Sequence, residues 1–98
     1  MVPEFRRWVA ENQAAFRDGA ISVHLWDKTR SDESLHTDFK TDRFEATVGI
    51  WGSGHCDVHL LDWQEATEVV VTHYEFSHEN DLFAMLDDLI RRMSTRSS

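Results

Sequence analysis

Hydrophobic residues recur at helical spacing near both ends of the chain. They lie at Phe5, Trp8, Val9 and Phe16 near the start, and at Leu82, Met85, Leu86, Leu89, Ile90 and Met93 near the end. The stripes predict an N-terminal helix that closes at Gly19 in a left-handed conformation, and a C-terminal helix capped by Ser77 or Asn80. Arg91 and Arg92 suit the end of the second helix, because cations are favoured there.

Between the two helices the hydrophobic period changes to two, which is typical of strands. The residues expected to face the core are Ile21, Val23 and Leu25; Leu35, Thr37 and Phe39; Ala46, Val48 and Ile50; Cys56, Val58 and Leu60; and Val70, Thr72, Tyr74 and Phe76. Polar or glycine-rich breaks at 27–34, 41–43, 52–54 and 62–67 separate these stretches, and short connections favour antiparallel neighbours. The sequence therefore predicts an α+β fold in the order α-β-β-β-β-β-α, a five-stranded antiparallel sheet with both helices packed on one face.

The length and composition predict one folded domain. A chain of 98 residues with 41% hydrophobic residues can fill one core but not two, so we expect a single domain over 1–98 with a frayed tail at 94–98. The lone cysteine, Cys56, forms no internal disulfide and fits a reducing compartment. No apolar run is long enough for a signal peptide or a membrane span, so a cytoplasmic location is expected.

The charge is acidic and unevenly placed. The formal net charge is −8, and no Lys or Arg occurs between Phe44 and Ile90. Such a surface disfavours nucleic acid and anionic membranes and favours a basic protein partner. The alternative interpretation is that the acidic residues only keep a small domain soluble.

The alternate residues of the strands define a second sheet face, which we call the open face because the helices cover the other one. Its expected members are His24, Trp26, His36, Asp38, Glu45, Thr47, Trp51, His55, Asp57, His59, Val71, His73 and Glu75. Aromatic and adaptable polar groups together are typical of protein interfaces. The tryptophans would instead be structural if they packed on each other across strands, or if a bulge at Gly49 turned one inward.

Catalytic and metal-binding patterns are weak in this sequence. His55, Asp57 and His59 share one strand face and His73 is able to lie beside them, but same-face neighbours on a strand stand about 7 Å apart, too far for one tetrahedral ion. Cys56 alternates with core residues and is expected to be inert. No nucleophile elbow, phosphate loop or zinc-protease motif occurs. The sequence therefore predicts no catalytic residues, no bound metal and no cofactor.

Four segments spread over nearly the whole chain carry a family resemblance. They are Phe5-Arg6-Arg7-Trp8-Val9-x-x-Asn12-Gln13, Asp27-Lys28-Thr29-Arg30, Trp51-Gly52-Ser53-Gly54 and His73-Tyr74-Glu75-Phe76. Together they resemble TriTu, a family of small immunity proteins in bacterial polymorphic-toxin systems. None of the segments is catalytic, and the resemblance transfers no binding residue. It implies that the protein binds a toxin domain made by the same cell and blocks its active site.

The most favoured function is thus that of a non-enzymatic immunity protein whose partner is a toxin, possibly a nuclease with a basic cleft. The residues expected to bind the toxin are Trp26, Asp38, Glu45, Trp51, Asp57, His59, His73 and Glu75. The protein is expected to be a monomer or weak dimer. Two alternatives stay open: a secretion chaperone, which would be a stable dimer, and a metal-dependent enzyme at His55, Asp57, His59 and His73.

Overall fold

The computed structural model of the protein describes residues 1–26 and 33–94, with the backbone alone at 67–70. Its elements are α1 (Val2–Glu11), α2 (Gln13–Asp18), β1 (Ser22–Trp26), β2 (Ser34–Lys40), β3 (Phe44–Trp51), β4 (His55–Asp62), β5 (Thr67–Glu75) and α3 (Glu79–Ser94). The α+β fold is confirmed. The expected loop at 27–34 and the expected frayed tail at 94–98 lie mostly outside the described residues.

The five strands form one antiparallel sheet in the order β1-β2-β3-β4-β5. Each strand therefore pairs with its neighbours in sequence, as the short connections predict. The bulge suggested at Gly49 is wrong, because β3 keeps a continuous register with β2 and β4 through this residue. The register shifts instead between Leu60 and Leu61, where β4 pairs with β5.

The N-terminal helix differs from its prediction in two details. It is interrupted at Asn12, whose backbone ends α1 and precedes α2. The left-handed residue is Ala20, with φ 54°, whereas Gly19 has φ −87°. Gly19 lies in a tight contact, because a Cβ there would lie 2.9 Å from the Ser94 Oγ at the end of α3 and 3.3 Å from the Ala15 carbonyl oxygen.

The C-terminal helix begins between its two expected caps, after Ser77 and before Asn80. Its first residue is Glu79, so His78 precedes it and neither Ser77 nor Asn80 occupies the capping position. Arg91 and Arg92 lie in its last turn, as predicted. None of the described helices is long and apolar enough to cross a bilayer.

The core lies between the helices and the predicted inward positions of β2, β3 and β4, whereas Thr72, Tyr74 and Phe76, also predicted to face the core, are only half-buried. Leu35, Thr37 and Phe39 of β2 are buried, as are the corresponding residues of β3 and β4. Trp8 joins the helices to this layer: its ring contacts Phe39 edge-on at 6.2 Å between centroids, and its indole N–H donates to Asp87 of α3 at 3.0 Å. Burial of these large side chains supplies the main drive for folding.

The edge strand β1 is covered only at its start. Ile21, just before the strand, is buried beneath α2. Val23 is half-buried and Leu25 is 40% exposed. The prediction that Leu25 faces the core is therefore only partly right. The six-residue α2 is too short to reach the far end of β1.

Candidate functional site

The alternate strand residues do form an open face. Its exposed members are His24, Trp26, His36, Thr47, His55, Asp57, Val71, His73 and Glu75, and its half-buried members are Asp38, Glu45, Trp51 and His59. All eight residues expected to bind a partner lie on this face. Their side chains point away from the helices because successive residues of a strand alternate between the two sides of a sheet.

Two rows of paired residues cross the open face from edge to edge. One row runs through Trp26, His36, Gly49, Asp57 and His73, and the other through His24, Asp38, Thr47, His59 and Val71. Directly opposed residues on a sheet have Cβ atoms about 5 Å apart, so side chains within a row contact one another. The rows explain why histidines, carboxylates and aromatic rings become neighbours despite their separation in sequence.

Trp26 is held in one orientation by two neighbours. Its indole N–H donates to Asp38 Oδ2 at 2.7 Å, and its ring lies edge-on to His24 with centroids 4.3 Å apart. Asp38 also accepts a hydrogen bond from the Thr47 hydroxyl at 3.3 Å. With half of its surface exposed, Trp26 is a large aromatic group whose orientation is already fixed before any partner arrives.

Trp51 lies beside a depression in the middle of the sheet. Its ring contacts His36 edge-on at 5.5 Å between centroids, so each open-face tryptophan packs on a histidine and not on the other tryptophan. Gly49 makes room for this contact, because a Cβ there would lie 2.7 Å from the His36 Nδ1. The resulting depression encloses about 570 Å³ and is bordered by Trp51, Asp57 and Val71.

A cluster of two histidines and two carboxylates lies at one end of β4 and β5. We call it the histidine–carboxylate cluster: His55, Asp57, His73 and Glu75. His73 Nδ1 lies 2.5 Å from Asp57 Oδ1, and His73 Nε2 lies 3.1 Å from His55 Nδ1. His55 Nδ1 in turn lies 3.5 Å from Glu75 Oε1. The four side chains therefore form a continuous polar chain across two strands.

The histidine–carboxylate cluster differs from the metal site that the sequence suggested for an enzyme. The suggested site consisted of His55, Asp57 and His59 along β4, together with His73. The potential ligand atoms that the structure brings within 4.8 Å of one another belong instead to His55, His73 and Glu75. His59 pairs with Val71 in the next row and lies outside this trio.

Acidic residues on the two sides of the molecule have different partners. On the helix side, Asp62 is 4% exposed and binds Arg43 through contacts of 2.9–3.2 Å, and this guanidinium is the main cause that lowers the pKa of Asp62. Glu79 pairs with Arg7 at 2.7 Å. On the open face, Lys40 is the one Lys or Arg within the described strands, and it lies 3.8 Å from Glu45. The open face therefore keeps a surplus of carboxylates.

Cys56 is fully buried between the sheet and the helices. Burial, followed by the charge of Asp57, raises the pKa of its thiol to about 12. A thiol in that state has almost no thiolate and is a poor nucleophile. The prediction of an inert core cysteine agrees with this environment.

Two features were not foreseen from the sequence. The contact between His55 and Glu75 depends on the register of β4 and β5, which the pattern of alternation alone does not fix. Trp63, in the turn after β4, is 55% exposed and lies outside the five strands. A separate depression of about 890 Å³ is bordered by Gly19, Arg43 and Met93, and the Arg43 guanidinium is already paired with Asp62.

Comparison with known proteins identifies the family. Residues 3–92 match the family model described as "Immunity protein TriTu", which covers nearly the whole chain, and the protein therefore belongs to the TriTu family of immunity proteins. No curated protein matches the chain. Membership in an immunity family implies a toxin as the partner.

Proposed function

We propose that this chain neutralises a cognate bacterial toxin domain by binding it through the open face, without catalysing a reaction. The match to an immunity family over residues 3–92 carries the proposal. Among the described surfaces, the open face best supports the contact because it combines aromatic residues, carboxylates and a central depression. The eight contact residues proposed are Trp26, Asp38, Glu45, Trp51, Asp57, His59, His73 and Glu75.

Trp26 and Trp51 serve as the anchors of this interface. Binding energy in protein interfaces concentrates in a few large residues, with tryptophan strongly enriched among them. Both rings are already oriented by histidines, and Trp26 is also fixed by Asp38. Little rotamer freedom is lost when such residues bind, so more of their buried area contributes to affinity.

The carboxylates of the open face select the chemistry of the partner. Asp57 borders the depression, Asp38, Glu45 and Glu75 lie elsewhere on the open face, and the described strands offer only Lys40 against them. A toxin with a basic active-site cleft, such as a nuclease, complements these carboxylates, which occupy positions that substrate phosphates would take. Complementary charge also accelerates association.

The protein works as a single domain, as a monomer or weak dimer, in the cytoplasm, where the toxin is made. Neither nucleic acid nor a membrane is its partner, because the acidic surface repels both. A stable dimer in light scattering would instead favour the secretion chaperone considered above.

The decisive experiment uses the toxin domain encoded beside this gene. Co-expression with the intact chain should rescue bacterial growth, and calorimetry should give the affinity of the purified pair. We expect Trp26→Ala and Trp51→Ala each to weaken binding by about 2 kcal/mol or more, which is about thirty-fold. Asp57→Asn should slow association, and added salt should reduce this difference between variant and wild type.

Matched control substitutions separate this surface from the rest of the molecule. Trp63→Ala removes a tryptophan of similar exposure to Trp26 that lies in the turn after β4 and is not one of the eight proposed contact residues, and Asp42→Asn removes an exposed charge in the turn between β2 and β3. Both should bind the toxin like the wild type. Equal losses in the control and open-face variants, with all variants folded, would remove the open face from consideration; failure to rescue growth would reject the toxin encoded there as the partner.

A further inference from the structure

We infer that His55, His73 and Glu75 form a binding site for a divalent transition metal ion, with zinc the best match. The site lies at the end of β4 and β5, and its three ligand atoms already lie within 4.8 Å of one another. Sequence spacing along one strand argued against a metal, but this trio is assembled across two strands. The inference is independent of toxin binding, because it concerns the isolated chain.

Two of the three distances between the ligand atoms are close to those of tetrahedral coordination. Zinc–nitrogen and zinc–oxygen bonds of about 2.0–2.1 Å place neighbouring ligands of a tetrahedron roughly 3.3–3.4 Å apart. His55 Nδ1 lies 3.1 Å from His73 Nε2 and 3.5 Å from Glu75 Oε1. The third pair, His73 Nε2 and the Glu75 carboxylate, lies within 4.8 Å, and the exposed Glu75 rotates inward when an ion is seated among the three ligands.

His73 is oriented for this role by Asp57. Its Nδ1 lies 2.5 Å from Asp57 Oδ1, so the ring donates its Nδ1 proton to the carboxylate and presents the Nε2 lone pair to the site. A carboxylate that holds the second nitrogen of a ligating histidine is a recurrent feature of zinc sites. Asp57 thus positions the ligand and makes it more basic without contacting the ion.

His55 completes the nitrogen pair through a change of tautomer. With the His73 Nε2 acting as an acceptor, the proton in the 3.1 Å contact belongs to His55 Nδ1. When the ion binds, this proton moves by way of solvent to Nε2 of the same ring, which is exposed. Nδ1 then donates its lone pair to the metal, and water fills the fourth position.

The ligand set indicates which ions fit. Two imidazoles and one carboxylate suit zinc, nickel, cobalt and copper, whereas magnesium and calcium prefer oxygen ligands alone. A backbone hydrogen bond holds the two strand ends that carry the ligands. The Phe76 N–H donates to the Gly54 carbonyl at 2.9 Å, next to His55 and Glu75. The site therefore lies on a paired strand end and not on a free loop.

The test is a titration of the purified full chain with zinc by calorimetry and with cobalt by visible absorption. We expect one equivalent of zinc to bind, one equivalent of cobalt to give the absorption bands of tetrahedral coordination, and magnesium to give no signal. Nitrogen-15 spectra of the histidine rings should show the largest zinc-induced shifts at His55 Nδ1 and His73 Nε2.

Variants of the exposed side chains distinguish a built site from diffuse binding to histidines. His73→Gln should abolish the one-equivalent binding, and Asp57→Asn should weaken it by about 10–100-fold. His24→Gln, which removes another exposed histidine of the open face, should leave it unchanged. Equal losses in His24→Gln and His73→Gln, or ring shifts spread over all histidines, would overturn the inference, as would the absence of zinc binding in the wild type.

Discussion

Gly54, in the turn between β3 and β4, offers a sharp test of how the end of the sheet is built. It is the glycine with a positive φ among the described residues, at 97°, and a Cβ there would lie 2.1 Å from the carbonyl oxygen of Phe76. The Gly54 carbonyl also accepts the hydrogen bond from the Phe76 N–H. The substitution Gly54→Ala therefore places a methyl group against backbone that cannot rotate away.

The expected cost of this substitution has two parts. A left-handed conformation costs a non-glycine residue about 1–2 kcal/mol, and the clash forces the two backbones apart. Separation weakens the hydrogen bond between Phe76 and Gly54, which is worth about 0.5–1.5 kcal/mol. The free energy of unfolding should thus fall by about 1.5–3.5 kcal/mol, a large part of the stability of a small domain.

Urea denaturation followed by tryptophan fluorescence measures this loss. Gly52→Ala is the matched control, because Gly52 lies in the same turn, is exposed and lacks a positive φ. A loss below about 1 kcal/mol for Gly54→Ala, or a loss equal to that of Gly52→Ala, would refute the reasoning. Since the same contact holds the ends of β4 and β5, any folded Gly54→Ala protein should also bind zinc more weakly.

Three further predictions concern the core and its ionisable groups. Leu60→Ala, at a buried position of β4, should lower the free energy of unfolding by about 2–5 kcal/mol in urea denaturation, and a loss under 1 kcal/mol would contradict the burial. Arg43 lowers the pKa of Asp62, so this carboxylate stabilises the fold fully above its ordinary value of 3.8 and loses that contribution as the pH falls through the lower folded pKa. When the free energy of unfolding is measured against pH, Asp62→Asn should lose less stability than the wild type at acid pH. An unchanged pH dependence would count against the pairing of Asp62 with Arg43. Cys56 should resist a thiol reagent in the native protein and react in urea; rapid native labelling would show that it is accessible.

The sequence was sufficient to predict the architecture because both hydrophobic periods are clear. Alternation placed Leu35, Phe39 and Val58 toward the helices and His24 and Asp57 away from them, and the structure agrees. Short connections allow little besides antiparallel neighbours, so the strand order followed as well. These are properties of local pattern and chain length, which a single sequence contains.

Details that depend on contacts between distant residues were not predictable in the same way. The left-handed residue is Ala20 and not Gly19, which lies instead against Ser94 at the end of α3. The metal trio needs the register of β4 and β5, and this register shifts between Leu60 and Leu61. Alternation assigns a residue to a face, but it does not say which residue of the next strand lies beside it.

The strict alternation of β3 and β4 separates substitutions that change the surface from substitutions that change the core. Thr47 and Asp57 are exposed to solvent, while Ala46, Val48 and Val58, their neighbours in sequence, fill the core. A mutation at an outward position changes the chemistry of the open face and leaves the packing on the other side of the same strand intact. With the open face as the proposed toxin-binding surface, single outward substitutions would alter the match to a toxin at little cost in folding.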